Sequence, residues 1–503
     1  MPRLATRLAE IGAQLKSGHY RLARENTLAA SGLLPATPME LVELARRLVQ
    51  FNLSGALRSL VAGLLAAPVG NAAAEADVAA LLSMLGDQDQ ATRLLERAMA
   101  VIGDHPAHRY NRSQMHLYAG RLDRAETDLR ACLAREPAMA KAHWALSKLP
   151  PGDPAADIDA ARKALGRIAP GSQDEAYLRF ALFNQLDRTG DYAAAFAELA
   201  RGCRVKRGLL DYRPEASARL FDALEQVFVE PEAPRPRDPA DAQGPRPIFI
   251  VGMHRSGTTL LERMLGNHGQ VSEGGELYDF PAQLRLALGR HFNGPLDLAA
   301  VQASAGFDWP AIGQGYRDQV RWRAEGRPVL VDKLPSNFLN LGFIRRALPE
   351  ARIVHMRRQP MDTCFSNYKE LFSSACAYSY DFSELAAYYA GYRRLMARWR
   401  QVLPGALLDV SYEDLARDPE SEGRRILAFC GLDWDPACLD AAGNTRAVNT
   451  ASSAQVREPV HQRGIGAWRR YQAELAPLQA QMQAQGLVDA DGSETAEVPE
   501  IPL

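Results

Sequence analysis

Several features are scarce in these 503 residues, and each scarcity closes off a class. The six cysteines, Cys132, Cys203, Cys364, Cys376, Cys430 and Cys438, form no CxxC pair and no Cys/His ligand set. A disulfide framework and a structural zinc site are therefore not expected, and a reducing, cytoplasmic compartment is. Net charge is only -1, which gives no whole-molecule attraction to nucleic acid or to an anionic membrane. The most apolar run, around SLVAGLLAAPVG, is too short to span a bilayer and holds a proline. The opening MPRLATRLAEIGAQLKSG lacks an apolar core followed by a small-residue cleavage site, so no secretory signal is expected. Apolar residues at 47% and charged residues at 24% are ordinary for a globular protein, and the length suits two or three domains.

What is present begins with a period. GDQDQATRLLERAM from Gly86 and GRLDRAETDLRACL from Gly120 lie 34 residues apart, with Ala91 matching Ala125, Leu95 matching Leu129 and Ala98 matching Cys132. Two periods back, GHYRLARENTLAAS starts at Gly18, the register near Asn52 is degenerate, and a further copy, GDYAAAFAELARGC, starts at Gly190. A 34-residue helix-turn-helix unit with these small residues resembles the tetratricopeptide repeat, whose units must stack because none buries its own apolar face. A plain helical bundle is the alternative. Residues 1–229 are read as this all-α repeat domain.

Residues 230–246, proline-rich and charged, read as a semi-rigid linker. Beyond it short apolar strands alternate with helices: PIFIV then TLLERMLGNH, PVLVDK then NFLNLGFIRRAL, ARIVHMRR then DTCFSNYKELF, and later ALLDVSYEDL. That alternation predicts an α/β domain over 247–485 with a doubly wound parallel sheet. The acidic residues 486–503 are expected to be a disordered tail.

The chemistry centres on PIFIVGMHRSGTTLLERML, where Gly252 and Gly257 enclose four residues before two threonines open a helix. A nucleoside-triphosphate loop would place a lysine after the second glycine; here Thr258 follows, and no magnesium ligand is evident. Backbone N–H groups, the helix N-terminus, the hydroxyls of Ser256, Thr258 and Thr259, and the Arg255 fork suit a sulfate or phosphate group held without metal.

The stretch VGMHRSGTTL resembles the 5'-phosphosulfate loop of sulfotransferases, which carry a sulfuryl group from 3'-phosphoadenosine-5'-phosphosulfate (PAPS) to an acceptor. The chain is most similar to the tyrosylprotein sulfotransferases and to bacterial enzymes that join that domain to tetratricopeptide repeats. The resemblance implies a P-loop-type sulfotransferase fold and a set of roles. Arg255 binds the phosphosulfate, together with Ser256, Gly257, Thr258 and Thr259. Glu276, in VSEGGELYDF, is the catalytic base, although Gly275 stands where the family carries an acidic residue. Lys333, in VDKLPSNF, stabilises the transferring group. Arg358 and Ser366, eight residues apart in VHMRRQPMDTCFSNY, hold the 3'-phosphate, and Tyr412 of VSYEDL contacts the nucleotide. SSAQVREPVHQRGIGAW covers it from Ser452 onward, with Gln455 included. Two residues depart from the pattern: His254 replaces a proline, and Ala467 replaces a lysine before Trp468.

Each residue also has a plainer reading: Glu276 as a helix-start carboxylate, Lys333 as a surface ion-pair partner, Tyr412 as a core aromatic. His254 and His268 are the other candidate bases. The expected activity is PAPS-dependent sulfuryl transfer to a hydroxyl, with tyrosine of a peptide or protein presented by the repeats as the leading acceptor. A carbohydrate or small-molecule hydroxyl is one alternative, and a non-catalytic nucleotide-binding scaffold is another. No metal, nucleic acid or membrane partner is expected.

Overall fold

The computed structural model describes residues 4–33, 35–67, 70–150, 152–231, 244–372, 375–444, 446–448 and 461–495. Through Val227 the described residues form thirteen helices, from Leu4–Lys16 to Pro214–Val227. They pack as successive pairs, and the turns between partners explain the period. Gly18, Gly86, Gly120 and Gly190 all sit at those turns with φ between +75° and +93°. Glycine takes this left-handed conformation without steric cost. In the degenerate register the same position is Asn52, at φ +54°, asparagine being the residue that tolerates left-handed backbone next best. In two turns the glycine is followed by an aspartate that caps the next helix: Asp87 accepts from Gln90 N and Asp191 from Ala194 N. Stepping by 34, Ala23, Leu57, Ala91 and Ala125 are all fully buried where the helices meet.

In the second half, β1 (Arg246–Gly252), β2 (Val271–Glu273), β3 (Val329–Asp332), β4 (Arg352–Arg357) and β5 (Leu407–Ser411) form one parallel sheet in the order β2-β3-β1-β4-β5. Four strands fall on the runs expected from sequence. β2 was not foreseen, having only three residues. The strand order reverses direction at β1, so the loops leaving β1 and β4 part from one another and open a crevice at their carboxyl ends.

The cores do not divide where the composition changes. Residues from Leu4 to Met115 have a core of their own, but Phe180, Leu199, Phe221 and Phe228 belong to the same cluster as Phe249, Phe338 and Trp399 of the α/β half. Phe228 sits edge-on against both Phe343 and Trp399, ring centroids 5.1 Å apart in each case. The helices Ala140–Ser147 to Pro214–Val227 are thus built into the α/β domain, on the far side of the proline-rich stretch. Residues 486–495, expected to belong to a disordered tail, are instead packed onto the domain. Leu487 and Val488 are buried in that same cluster, and Glu494 pairs with Arg357 (2.7 Å) and Arg393 (2.5 Å). Apolar burial and ion pairing outweigh the acidic composition through Thr495. The helix Phe382–Val402 packs Tyr392, Leu395 and Trp399 inward, as its spacing predicts. Among the described residues no helix is long and apolar enough to cross a membrane.

Candidate active site

β1 delivers the glycine-bounded loop to the sheet edge. Gly257 has φ +102°, and an added Cβ would lie 2.6 Å from Tyr412 Cδ2, so the loop passes the ring only as glycine. Arg255 is itself left-handed at φ +67°. Such an alternation of backbone hand makes an anion nest, here at the start of the helix Thr258–Gly266. Ser256, Thr258 and Thr259 are buried in it.

β4 lies beside β1, Gly252 opposite Met356, so Arg358 stands next to the loop. Its guanidinium donates to Arg255 O (3.0 Å), to Ser366 Oγ (3.4 Å) and to Gly464 O (2.5 Å), and it lies 5.0 Å from the centre of the Tyr412 ring. Arg255, Arg358, Ser366 and Tyr412, drawn from three separate motifs, are thereby brought into one cradle. Asn367 Nδ2 donates to His254 O (2.7 Å), tying the loop to the helix Pro360–Tyr368. The covering segment is fastened by a residue that sequence reasoning missed: Asp362 accepts from Gly466 N (2.6 Å) and Trp468 N (3.2 Å). Ser452 and Gln455 lie outside the described residues.

The cradle fits a doubly anionic ligand. Ser256 Oγ and Arg358 Nε are buried and have no hydrogen-bond partner among the described residues, which is costly unless a ligand oxygen supplies one. Lys369, also unforeseen, adds a third cation. Burial, opposed by Asp187 and reinforced by Arg255 and Arg358, lowers its ammonium to about 8. Such mutual repulsion among cations is relieved by an anion. Arg469, a possible substitute for the absent lysine at 467, instead lies over Trp468 at 4.9 Å, and Arg463 is exposed. Lys369, with its ammonium over the Phe365 ring at 5.1 Å, is near enough to feel the charge of both arginines. Glu370, the carboxylate beside Arg255, is bound by Lys148 at 2.5 Å, a cation from the helical half.

The candidate catalytic pair, Glu276 and Lys333, sits on the other side of β1. Lys333, fully buried at the end of β3, donates from Nζ to Glu276 Oε1 at 2.8 Å. The Glu276 side chain is 31% exposed, so its carboxylate has one face on the lysine and another toward solvent. The alternative bases are placed otherwise. Burial lowers His254 to about 4, and His268 is used structurally, Nε2–H donating to Asp433 O (3.1 Å) while Nδ1 accepts from Gln270 N (3.1 Å). Among the described residues no three His, Cys, Asp or Glu side chains gather as a metal site.

Glu276 opens into a cleft of about 390 Å³ whose opposite wall comes from the helical half: Asn52, Arg58, the turn 85–90 and Arg93. The residues 274–279, Trp322, Arg323 and Arg446 complete it. The walls are bonded together. Gln319 Nε2 donates to Asn52 O (2.6 Å), Arg323 to Leu85 O (2.6 Å), Trp322 Nε1 to Ser54 Oγ (3.3 Å) and Val448 N to Tyr118 O (2.7 Å). No local motif announces this cleft, because its residues are up to about four hundred positions apart.

Residues 247–436 match the sulfotransferase family. An uncharacterized protein of Aquifex aeolicus (strain VF5) is 30% identical over 321 residues, 62% of this chain and 42% of that protein, so the chain spans less than half the length of that relative. A putative protein-tyrosine sulfotransferase of Caenorhabditis briggsae is 26% identical over 241 residues, 44% of this chain and 80% of that one. Among solved structures, the sulfotransferase domain of the Synechococcus PCC 7002 olefin synthase is similar at 24% identity with a TM-score of 0.33, covering 47% of this chain and 91% of that one. The C-terminal half of this chain, with its parallel sheet and its anion loop at the end of β1, is a domain of the sulfotransferase family.

Proposed function

We propose that the protein transfers a sulfuryl group from PAPS to a hydroxyl, with tyrosine of a peptide or protein as acceptor. The observation that carries this reading is the placement of Arg255 and Arg358 side by side at adjacent strand ends, with a lysine and a carboxylate across β1 from them. PAPS would bring an activated sulfuryl group, whose S–O bond to the 5'-phosphate breaks as the acceptor oxygen bonds to sulfur. Arg255 and the nest around it would hold the phosphosulfate end, and Arg358, Ser366 and Lys369 the 3'-phosphate, with Tyr412 beside the base. Glu276 Oε would take the acceptor proton, and Lys333 Nζ would stabilise charge gathering on the leaving oxygen. Protein substrate is supported by the cleft shared with the repeats, which is wide, polar and open at its mouth, and by the names of the distant relatives. A reducing, cytoplasmic setting is supported by six buried cysteines without a disulfide.

The test has two parts. Calorimetry should show binding of 3'-phosphoadenosine-5'-phosphate (PAP) without metal and in preference to ATP with magnesium; preference for ATP sinks the reading. Mass spectrometry of proteins and glycans incubated with enzyme and PAPS should then find 80-dalton additions on tyrosine, roughly the mass of one SO₃ group. Additions confined to glycans move the acceptor class. PAP binding with no addition anywhere makes the chain a nucleotide-binding scaffold.

A further inference from the structure

The mechanism above leaves a buried carboxylate unused at its centre. Glu262 projects from the helix Thr258–Gly266, the one that opens at the donor loop, and its side chain is 4% exposed. Oε1 accepts from Gly275 N at 2.9 Å, and Oε2 lies 3.8 Å from Lys333 Nζ. Lys333 N in turn donates to Gly275 O at 3.0 Å. Gly275, at φ +77°, is the residue before Glu276. It is therefore clamped by Glu262 on one side and by the Lys333 backbone on the other.

Two carboxylates thus share one lysine. Resting on the donor and base assignments above, we propose that Glu262 is a positioning and charge-compensating residue. It anchors the Glu276 loop through Gly275, and it takes up a proton when Lys333 turns toward the anionic donor, which leaves Glu276 ionised for the acceptor.

The surroundings explain why the proton goes to Glu262. The groups facing it are Lys333 after β3, Glu273 of β2, Glu276 and Asp332. Glu273 is already held by Arg263 (3.2 Å) and Asn444, and Asp332, whose Oδ2 accepts from Tyr316 Oη (3.0 Å), is raised well above the usual carboxylate range by burial and so brings no free charge to the pair. Among the described residues Lys333 is the cation that lies by both Glu262 and Glu276. Burial lifts Glu262 to about 7, Lys333 opposing and the neighbouring carboxylates adding, whereas Glu276 keeps a solvent-facing side. Of two carboxyls that lose a shared cation, the more buried protonates first. A protonated Glu262 still accepts from Gly275 N through its carbonyl oxygen, so the anchor survives.

The experiment titrates PAP into the full-length protein calorimetrically, in buffers of different ionisation enthalpy. Wild type should absorb a substantial fraction of a proton on binding near pH 7. Its PAP affinity should fall by up to about tenfold per pH unit above that point. Glu262→Gln, neutral and isosteric, should bind PAP with clearly less proton uptake near pH 7 and a shallower profile than wild type, Lys369 supplying what remains. Glu262→Ala, which also removes the Gly275 anchor, should bind PAP yet lose transfer about tenfold or more. Equal proton uptake by wild type and Glu262→Gln overturns the proposal, as does full transfer by Glu262→Ala. The Gln variant decides the matter even if the Ala variant is unstable. Failure of wild type to bind PAP at all overturns the donor assignment instead.

Discussion

The two sides of the active site are built in opposite ways. On the donor side the groups come from the segments directly after β1, β4 and β5, and Arg358 holds a fixed position through bonds to backbone oxygens. On the acceptor side the wall is assembled from helix turns near residues 52 and 85–93 and from loops near 275, 322 and 446. The difference is one of tolerance. Donor geometry is tied to strand ends that cannot shift without breaking the sheet, whereas the acceptor wall can be remade by changing a helical turn. One donor can thereby serve different acceptors.

The comparison breaks first on the donor and catalytic side. Arg358→Ala should abolish measurable PAP binding and lower transfer to every acceptor by about a hundredfold or more; unchanged PAP affinity by calorimetry would remove Arg358 from the cradle. Glu276→Gln should reduce turnover by roughly 10²–10⁴-fold with PAP affinity intact, separating base from binder. On the acceptor side the effects shrink and become selective. Arg93→Glu, at an exposed cleft position, should change acceptor KM severalfold and leave donor KM alone; a matched change in both would show that the walls are not independent. Asn52→Ala should destabilise by about 1 kcal/mol in denaturant titration, because alanine resists positive φ, and should disturb acceptor use before donor binding.

The smallest expected effect concerns pH. His116 is buried between repeat helices, and burial, aided by Arg121, lowers it from 6.5 to about 4. The unfolded chain therefore binds a proton that the folded chain refuses, and its contribution to stability is lost as pH falls from about 6.5 toward 4. His116→Asn should flatten that part of the urea-midpoint profile relative to wild type.

The donor side was legible because its signals are local. A β-branched run, a glycine at each end of the loop and an arginine directly after a strand each specify their geometry within a few residues. The period of 34 was legible for the same reason, since a left-handed turn demands glycine, and Asn52 blurred one register only by being the next-best residue for it. Glu262 carried no signal: a glutamate four residues into a helix reads as solvent-facing until Lys333 and Gly275 are known to lie against it. Lys369 was hidden likewise, one residue beyond the helix that bears Ser366. The proline-rich composition misled about the cores, since Phe221 and Phe228 before it pack onto Phe338 and Trp399 beyond it.

From residue order alone came the repeating helical turns, the alternation of strand and helix, and the anion loop with its arginines, because backbone handedness and hydrophobic period act over a few residues. Only the folded chain decided which helices share the α/β core, that Glu276 looks across a cleft at the repeats, and that Glu262 and Lys333 meet. Those contacts join surfaces far apart along the chain, and burial changes the meaning of a charge only after the surfaces have met.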